Sequence, residues 1–130
     1  PFGEYKGRPV GFTGQISAPL ALERFVAGVQ EVLRGPVVGV WPFGPTTVQQ
    51  IGIVSGGAAF LLDQAAQAGV DTFLTGEMSH SAYHQARELG LNVVYGGHYA
   101  TETVGLKALG EHLTSRFGLN ASFLELPTGA

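Results

Sequence analysis

The chain has 130 residues, 45% of them hydrophobic and only 13% charged, which is enough apolar side chain for one core and too little charge for disorder or a coiled coil. Its formal net charge of −3, with seven Lys and Arg scattered along the chain, leaves no basic stripe to neutralise phosphates, so nucleic acid is not an expected partner. Zero cysteines exclude disulfides and thiolate ligands, and no run reaches the ~18 apolar residues of a spanning helix. With no signal-peptide pattern either, the expected location is the cytoplasm, and any metal must be held by His, Asp or Glu. The chain opens at Pro1 with no helix or strand start signal, which reads as a piece of something longer.

In chain order, RPVGFTGQI, Arg8 to Ile16, reads as a Gly-interrupted strand. Ser17 follows as the expected N-cap and Pro19 as first-turn residue of a helix on which Leu22, Phe25, Val26, Val29, Val32 and Leu33 recur at helical spacing, up to Gly35-Pro36. PVVGVW and VQQIGIVSG are two strands separated by a Pro/Gly turn, and are expected to be neighbours. After Gly56-Gly57, AAFLLDQAAQAG is a helix closed by Gly69 at C′. DTFLTG is a short buried strand, SHSAYHQARELG a helix capped by Ser79 and ended by Gly90, and LNVVYGG a strand. The longest helix runs from about Tyr99 to Arg116, and ASFLEL is expected as a last strand. Strands alternating with helices define a single α/β domain over 1–130: a mixed sheet with parallel strands, helices on its faces, and ligands at the carboxyl ends of the strands.

Three strand-to-helix junctions belong to that edge: VSGGAAF, LTGEMSH and YGGHYATE. In the last, positions 102, 106, 109 and 113 share one stripe, which places Glu102 at the head of an apolar face with Leu106, Leu109 and Leu113. An ionised carboxylate aimed at a sheet needs a partner, and His98 one turn earlier can join it around Zn, Mn or Fe. The spacing alone also admits a first-turn acid favoured by the helix dipole beside an ordinary loop histidine. In TGEMSHSAYH, His80, His84 and Arg87 lie on one face and Ala82, Tyr83, Ala86 and Leu89 on the other, so the histidines are off the core stripe. They read as a solvated face, as a pair for a transition ion, or as proton donors. Glu77, at the strand end, is either a loop carboxylate or a general base or orienter of a ligand histidine. Ser55-Gly56-Gly57 lacks the Lys of a P-loop and the full G-x-G-x-x-G spacing; it is a glycine turn for close packing, or an anion cradle of free N–H groups.

Taken together, TGEMSHSAYHQARELGLNVVYGGHYATETVGLKALGEHL, Thr75 to Leu113, resembles the C-terminal signature of the Nif-three-like family, whose members are often labelled type-two GTP cyclohydrolase homologues. GRPVGFTGQI, the SGG turn and FLELP resemble family positions too. The resemblance implies a two-lobed α/β protein with a dinuclear metal site between its lobes, assembled as a toroidal hexamer, with His98 and Glu102 as metal ligands. The family's other ligands, an adjacent His pair and an aspartate, come from an N-terminal portion that nothing here matches. The chain is therefore expected to be the C-terminal part of a protein of about twice its length, carrying half of a metal site. Two function classes follow: a metal-dependent hydrolase acting on nucleotides or phosphoesters, with Glu77, His80 or His84 handling protons, or a non-catalytic metal-binding regulatory or oligomerisation module. A third reading is a nucleotide-binding domain that uses the Ser55-Gly56-Gly57 turn without metal.

Overall fold

The computed structural model describes residues 1–77 and 79–128. Strand β1 (Phe2–Tyr5) turns through Lys6 and Gly7, both at positive φ, into the long β2 (Arg8–Ala21). Helix α1 (Leu22–Leu33) is followed by β3 (Gly39–Pro42), β4 (Thr47–Ile53), a 3-10 turn (Ala59–Leu61) that runs into α2 (Leu62–Gln67), β5 (Thr72–Thr75), α3 (Ala82–Glu88), β6 (Asn92–Tyr95) and α4 (His98–Phe117). The expected mixed sheet with helices on its faces is present, with strand order β1-β2-β4-β5-β6-β3. The β4–β5 and β5–β6 pairs are parallel, joined by α2 and α3, and the other pairs are antiparallel.

Alternation along the central strands divides the core. Phe73, Val93 and Tyr95 face one side, packed with Leu61, Leu62 and Ala65 of the 3-10/α2 segment and Ala82 and Ala86 of α3. Val48 and Val94 face the other, with Leu74 alongside, under Leu22, Phe25 and Val26 of α1. The left-handed glycines Gly69 and Gly90 end α2 and α3, with Val70 and Leu91 donating back to Ala65 O and Ala86 O.

Several sequence expectations change. Phe2–Tyr5 forms a strand without a local start signal, because Phe2 is buried edge-on against Phe73 with ring centroids 6.1 Å apart. Ser17 and Pro19 belong to β2 and not to a helix start; Pro19 falls in the register shift between Gln15 and Leu20, where its missing N–H costs no ladder bond. Helix α1 begins at Leu22, whose N–H donates to Thr46 O, and has no side-chain cap. Strands β3 and β4 are not neighbours: β3 pairs with β6 at the sheet edge, while β4 lies between β2 and β5. The connecting loop is anchored by buried Asn92, which accepts from Gly44 N–H and donates to Pro45 O. Ser79 does not cap α3; its hydroxyl pairs with that of Ser81, 2.8 Å away, and the helix starts at Ala82. ASFLEL is not a strand: the segment lies on α4, where Leu126 N–H donates to Tyr99 Oη and Glu125 accepts from Lys107. The Leu106/Leu109 stripe of α4 is exposed, at 58% and 51%, and the buried residue of that helix is Thr103. Glu102 therefore heads a solvent-facing stripe and is itself half exposed.

Candidate metal centre

The three glycine junctions meet at the carboxyl ends of β4, β5 and β6, and their backbones are tied together. Gly56 O accepts from Gly76 N–H at 2.7 Å, from Glu77 N–H at 3.2 Å and from the Thr75 hydroxyl at 3.0 Å. Gly97 N–H donates to Gly76 O, and Gly56 N–H donates to Thr101 Oγ1, whose own hydroxyl donates to Gly97 O at 2.8 Å. Gly76 must be glycine, since a Cβ there would stand 2.7 Å from both Gly56 O and Thr101 Oγ1. The same bonds favour the packing reading of Ser55-Gly56-Gly57 over the anion cradle: Gly56 N–H is committed to Thr101 and the following Ala58 N–H to Thr75 Oγ1.

On this frame three side chains converge. His98, the first residue of α4, has Nδ1 2.5 Å from Glu77 Oε1 and Nε2 3.2 Å from Glu102 Oε1. Glu77 comes from the end of β5, and Glu102 sits one helical turn beyond His98. The chemistry is asymmetric. An ionised Glu77 only accepts, so Nδ1 carries a proton and donates it. In the neutral ring Nε2 is then a bare lone pair facing a carboxylate oxygen. Two acceptors at that distance call for something positive between them, a proton or a metal ion.

The donors fit a metal. Nitrogen and oxygen 3.2 Å apart are closer than twice a ~2.1 Å ligand bond, so one ion reaches both. Gly56, at φ +66°, faces them: a Cβ there would lie 2.7 Å from Glu102 Oε1 and 3.3 Å from His98 Nε2. Glu77 is on the far side of the ring, and among the described residues no group of three or more His, Asp or Glu is arranged to hold an ion. The chain thus presents two donors and an orienting carboxylate.

His80 and His84 stand apart. Both are exposed, and with Trp41 and Tyr83 they line an open hollow of about 560 Å³. Among the described residues no hydrogen bond or ion pair joins them to Glu77, His98 or Glu102. Sequence reasoning missed Thr75 and Thr101, the hydroxyls that lock the frame. Their signal was a Thr in two of the three glycine junctions, TG and ATE, where a short hydroxyl can satisfy turn N–H groups.

Fold and site together define a mixed α/β domain that brings a histidine and two carboxylates to the carboxyl edge of its parallel strands. The chain belongs to the Duf34/NIF3 (NGG1p interacting factor 3) family, whose model matches residues 1–128. It is 42% identical over 127 residues to a GTP cyclohydrolase 1 type 2 homolog of Archaeoglobus fulgidus, covering 98% of this chain and 49% of the relative. Similarity to a protein of the same description from Deinococcus radiodurans is 37% over 129 residues, covering 99% and 49%. The crystal structure of TTHA1606 from Thermus thermophilus superposes with a TM-score of 0.80 at 35% identity, covering 99% of this chain and 50% of that one. The chain spans about half the length of these relatives.

Proposed function

We propose that the chain supplies part of a dinuclear metal centre of a metal-dependent hydrolase acting on nucleotides or phosphoesters, with His98 and Glu102 as ligands and Glu77 as the positioning residue. The observation that carries this reading is the His98 ring, held through Nδ1 by Glu77 while Nε2 lies 3.2 Å from Glu102 Oε1. A carboxylate on the far nitrogen fixes the tautomer and raises the basicity of a ligand histidine. Bound metal would supply a Lewis acid and an acidified water. Glu77 fixes the ring through Nδ1, Gly56 leaves room beside the donors, and the Thr75–Gly56–Thr101 bonds keep the junctions from drifting apart. In this reading the remaining ligands come from the other part of a two-lobed protein, and His80 and His84 are left for proton transfer to a part of the substrate that reaches them or for a surface role. The relatives' cyclohydrolase description is compatible with the same water chemistry.

Calorimetric titration of the intact two-lobed protein with Zn or Mn tests the ligand assignment. His98→Ala and Glu102→Ala should each weaken binding at least tenfold and leave the denaturation midpoint nearly unchanged, because both side chains are a third or more exposed. Unchanged affinity in either variant removes that residue from the ligand set.

A further inference from the structure

A cleft of about 260 Å³ opens beside the metal donors and shares Glu77 with them. Gly57, Phe60, Ser79, Ser81 and Gln85 are among its other walls. Phe60 is 57% exposed and leans on Tyr5 with centroids 5.3 Å apart, which leaves ring surface open to the cleft. The polar groups are partly committed, which defines what remains for a ligand. With Oε1 on His98, Glu77 offers Oε2 as an acceptor; it lies against Gly57, where a Cβ would come within 2.9 Å. The Ser79 and Ser81 hydroxyls bond to each other, so one of their two hydrogens is spent and the other is free to donate. Gln85 is held by Asp63 through a 2.8 Å bond from Nε2 and keeps its carbonyl oxygen.

We infer that this cleft is the subsite for the ring of the substrate, and that the ring is a heteroaromatic lactam, with adjacent N–H and C=O. Glu77 Oε2 accepts the ring N–H, the free serine hydroxyl donates to the ring carbonyl, and Phe60 stacks on the face. The volume is below the ~300–1,000 Å³ of drug-sized sites, so it accommodates one ring system and not a whole nucleotide. The rest of the molecule would pass Gly57 toward Gly56, opposite His98 Nε2 and Glu102 Oε1. One carboxylate then both orients a ligand histidine and reads the substrate. The inference rests on the proposed hydrolase only for where the reacting bond lies, since ring binding is measurable without metal.

The test is a titration of the isotopically labelled, chelator-treated chain with inosine, followed by amide chemical shifts. Shifts centred on Gly57, Ser79, Ser81 and Ala82 are expected. Phe60→Ala should weaken inosine binding at least tenfold while leaving metal affinity intact, and Phe60→Trp should restore it. Purine riboside has the same ring size but neither the ring N–H nor the carbonyl, and should bind at least tenfold more weakly than inosine. Shifts elsewhere, no shifts, an indifferent Phe60→Ala, or equal binding of the two nucleosides would overturn the subsite. Inosine binding as expected, together with metal affinity unchanged by His98→Ala and Glu102→Ala, supports the subsite and sinks only the metal assignment.

Discussion

At the scale of single residues, His98 depends on what lies behind it. Its ring is about a third exposed, so packing alone does not set its angle; the 2.5 Å bond to Glu77 does. Glu77→Gln keeps the shape but replaces a charged acceptor with a neutral amide. Metal affinity should fall by about 10- to 100-fold, the usual loss when a ligand histidine loses its outer partner, with no loss of fold. Calorimetry on the variant decides this, and wild-type affinity would show that Glu77 does not act through His98. Gly56→Ala attacks from the opposite side. A Cβ at φ +66° is strained by about 1 kcal/mol and also stands 2.7 Å from Glu102 Oε1. The variant should therefore lose metal binding and about 1–3 kcal/mol of stability together, read by urea unfolding and titration. Stability unchanged by the substitution would mean that the turn relaxes at no cost. The pairing of His98 with Glu102 was legible from four-residue spacing, whereas Glu77's contact was not. It joins residues 21 apart through the parallel register of β5 and β6.

At the scale of elements, α4 and the segment after it form a unit stitched by polar contacts. Tyr99 Oη donates to Glu125 and accepts from Leu126 N–H, and Lys107 bonds Glu125 at 2.8 Å while its ammonium lies 4.7 Å from the Phe123 ring. The hydrogen bond from Lys107 holds the Glu125 carboxyl below its ordinary value of 4.5. A depressed carboxyl contributes docking fully above that ordinary value and loses it as pH falls through the value in the docked state. Protection of the Leu126 amide in hydrogen exchange should therefore be pH-independent near neutrality and be lost in acid, as pH falls below the ordinary carboxyl value of 4.5 and Lys107 loses its charged partner. Protection that survives strong acid would assign the docking to Phe123 and Leu126 packing instead. Helix boundaries were mostly readable because Gly69, Gly90 and the residues around Gly35 are local signals. The strand expected at ASFLEL was misread because an alternating apolar pattern does not say whether a sheet edge is available. Here the segment is held on α4 through Tyr99 and Lys107 and pairs with neither edge strand.

At the scale of the whole molecule, the described residues bring only two donor atoms to one point. A stable catalytic site usually needs about three protein ligands with one position open. The 130-residue chain by itself should therefore retain no more than one ion, weakly, and show no metal-dependent turnover of nucleotides or phosphoesters. Elemental analysis after dialysis checks the stoichiometry; two tightly retained ions per chain would mean that the site is complete without further ligands. The same chain exposes Leu106, Leu109 and Phe117 along α4, together with Phe12 and Ile53, which pair on neighbouring strands. Apolar surface of this kind favours association, so sedimentation should show concentration-dependent self-association at neutral pH. A strictly monomeric chain at high concentration would count against the oligomeric reading. Among the described residues no helix is long and apolar enough to cross a membrane.

By itself the sequence determined what is written in short-range pattern. Most of the strands, read from short apolar runs bounded by turn residues, the helices, read from 3.6-residue spacing and glycine stops, and the three Gly-rich junctions with His98 and Glu102 were visible there. Tertiary structure decided everything that depends on which strands lie side by side. It moved β3 to the far edge beside β6, and set Glu77 behind His98 and Gly56 in front of it. It also turned the leucine stripe of α4 to solvent, so that Glu102 became an accessible carboxylate and not a buried charge. The physical reason is range. Dihedral preferences and amphipathic periods act over a few residues, whereas a site at a sheet edge is assembled by strand order, and strand order follows from burying both faces of the sheet at once.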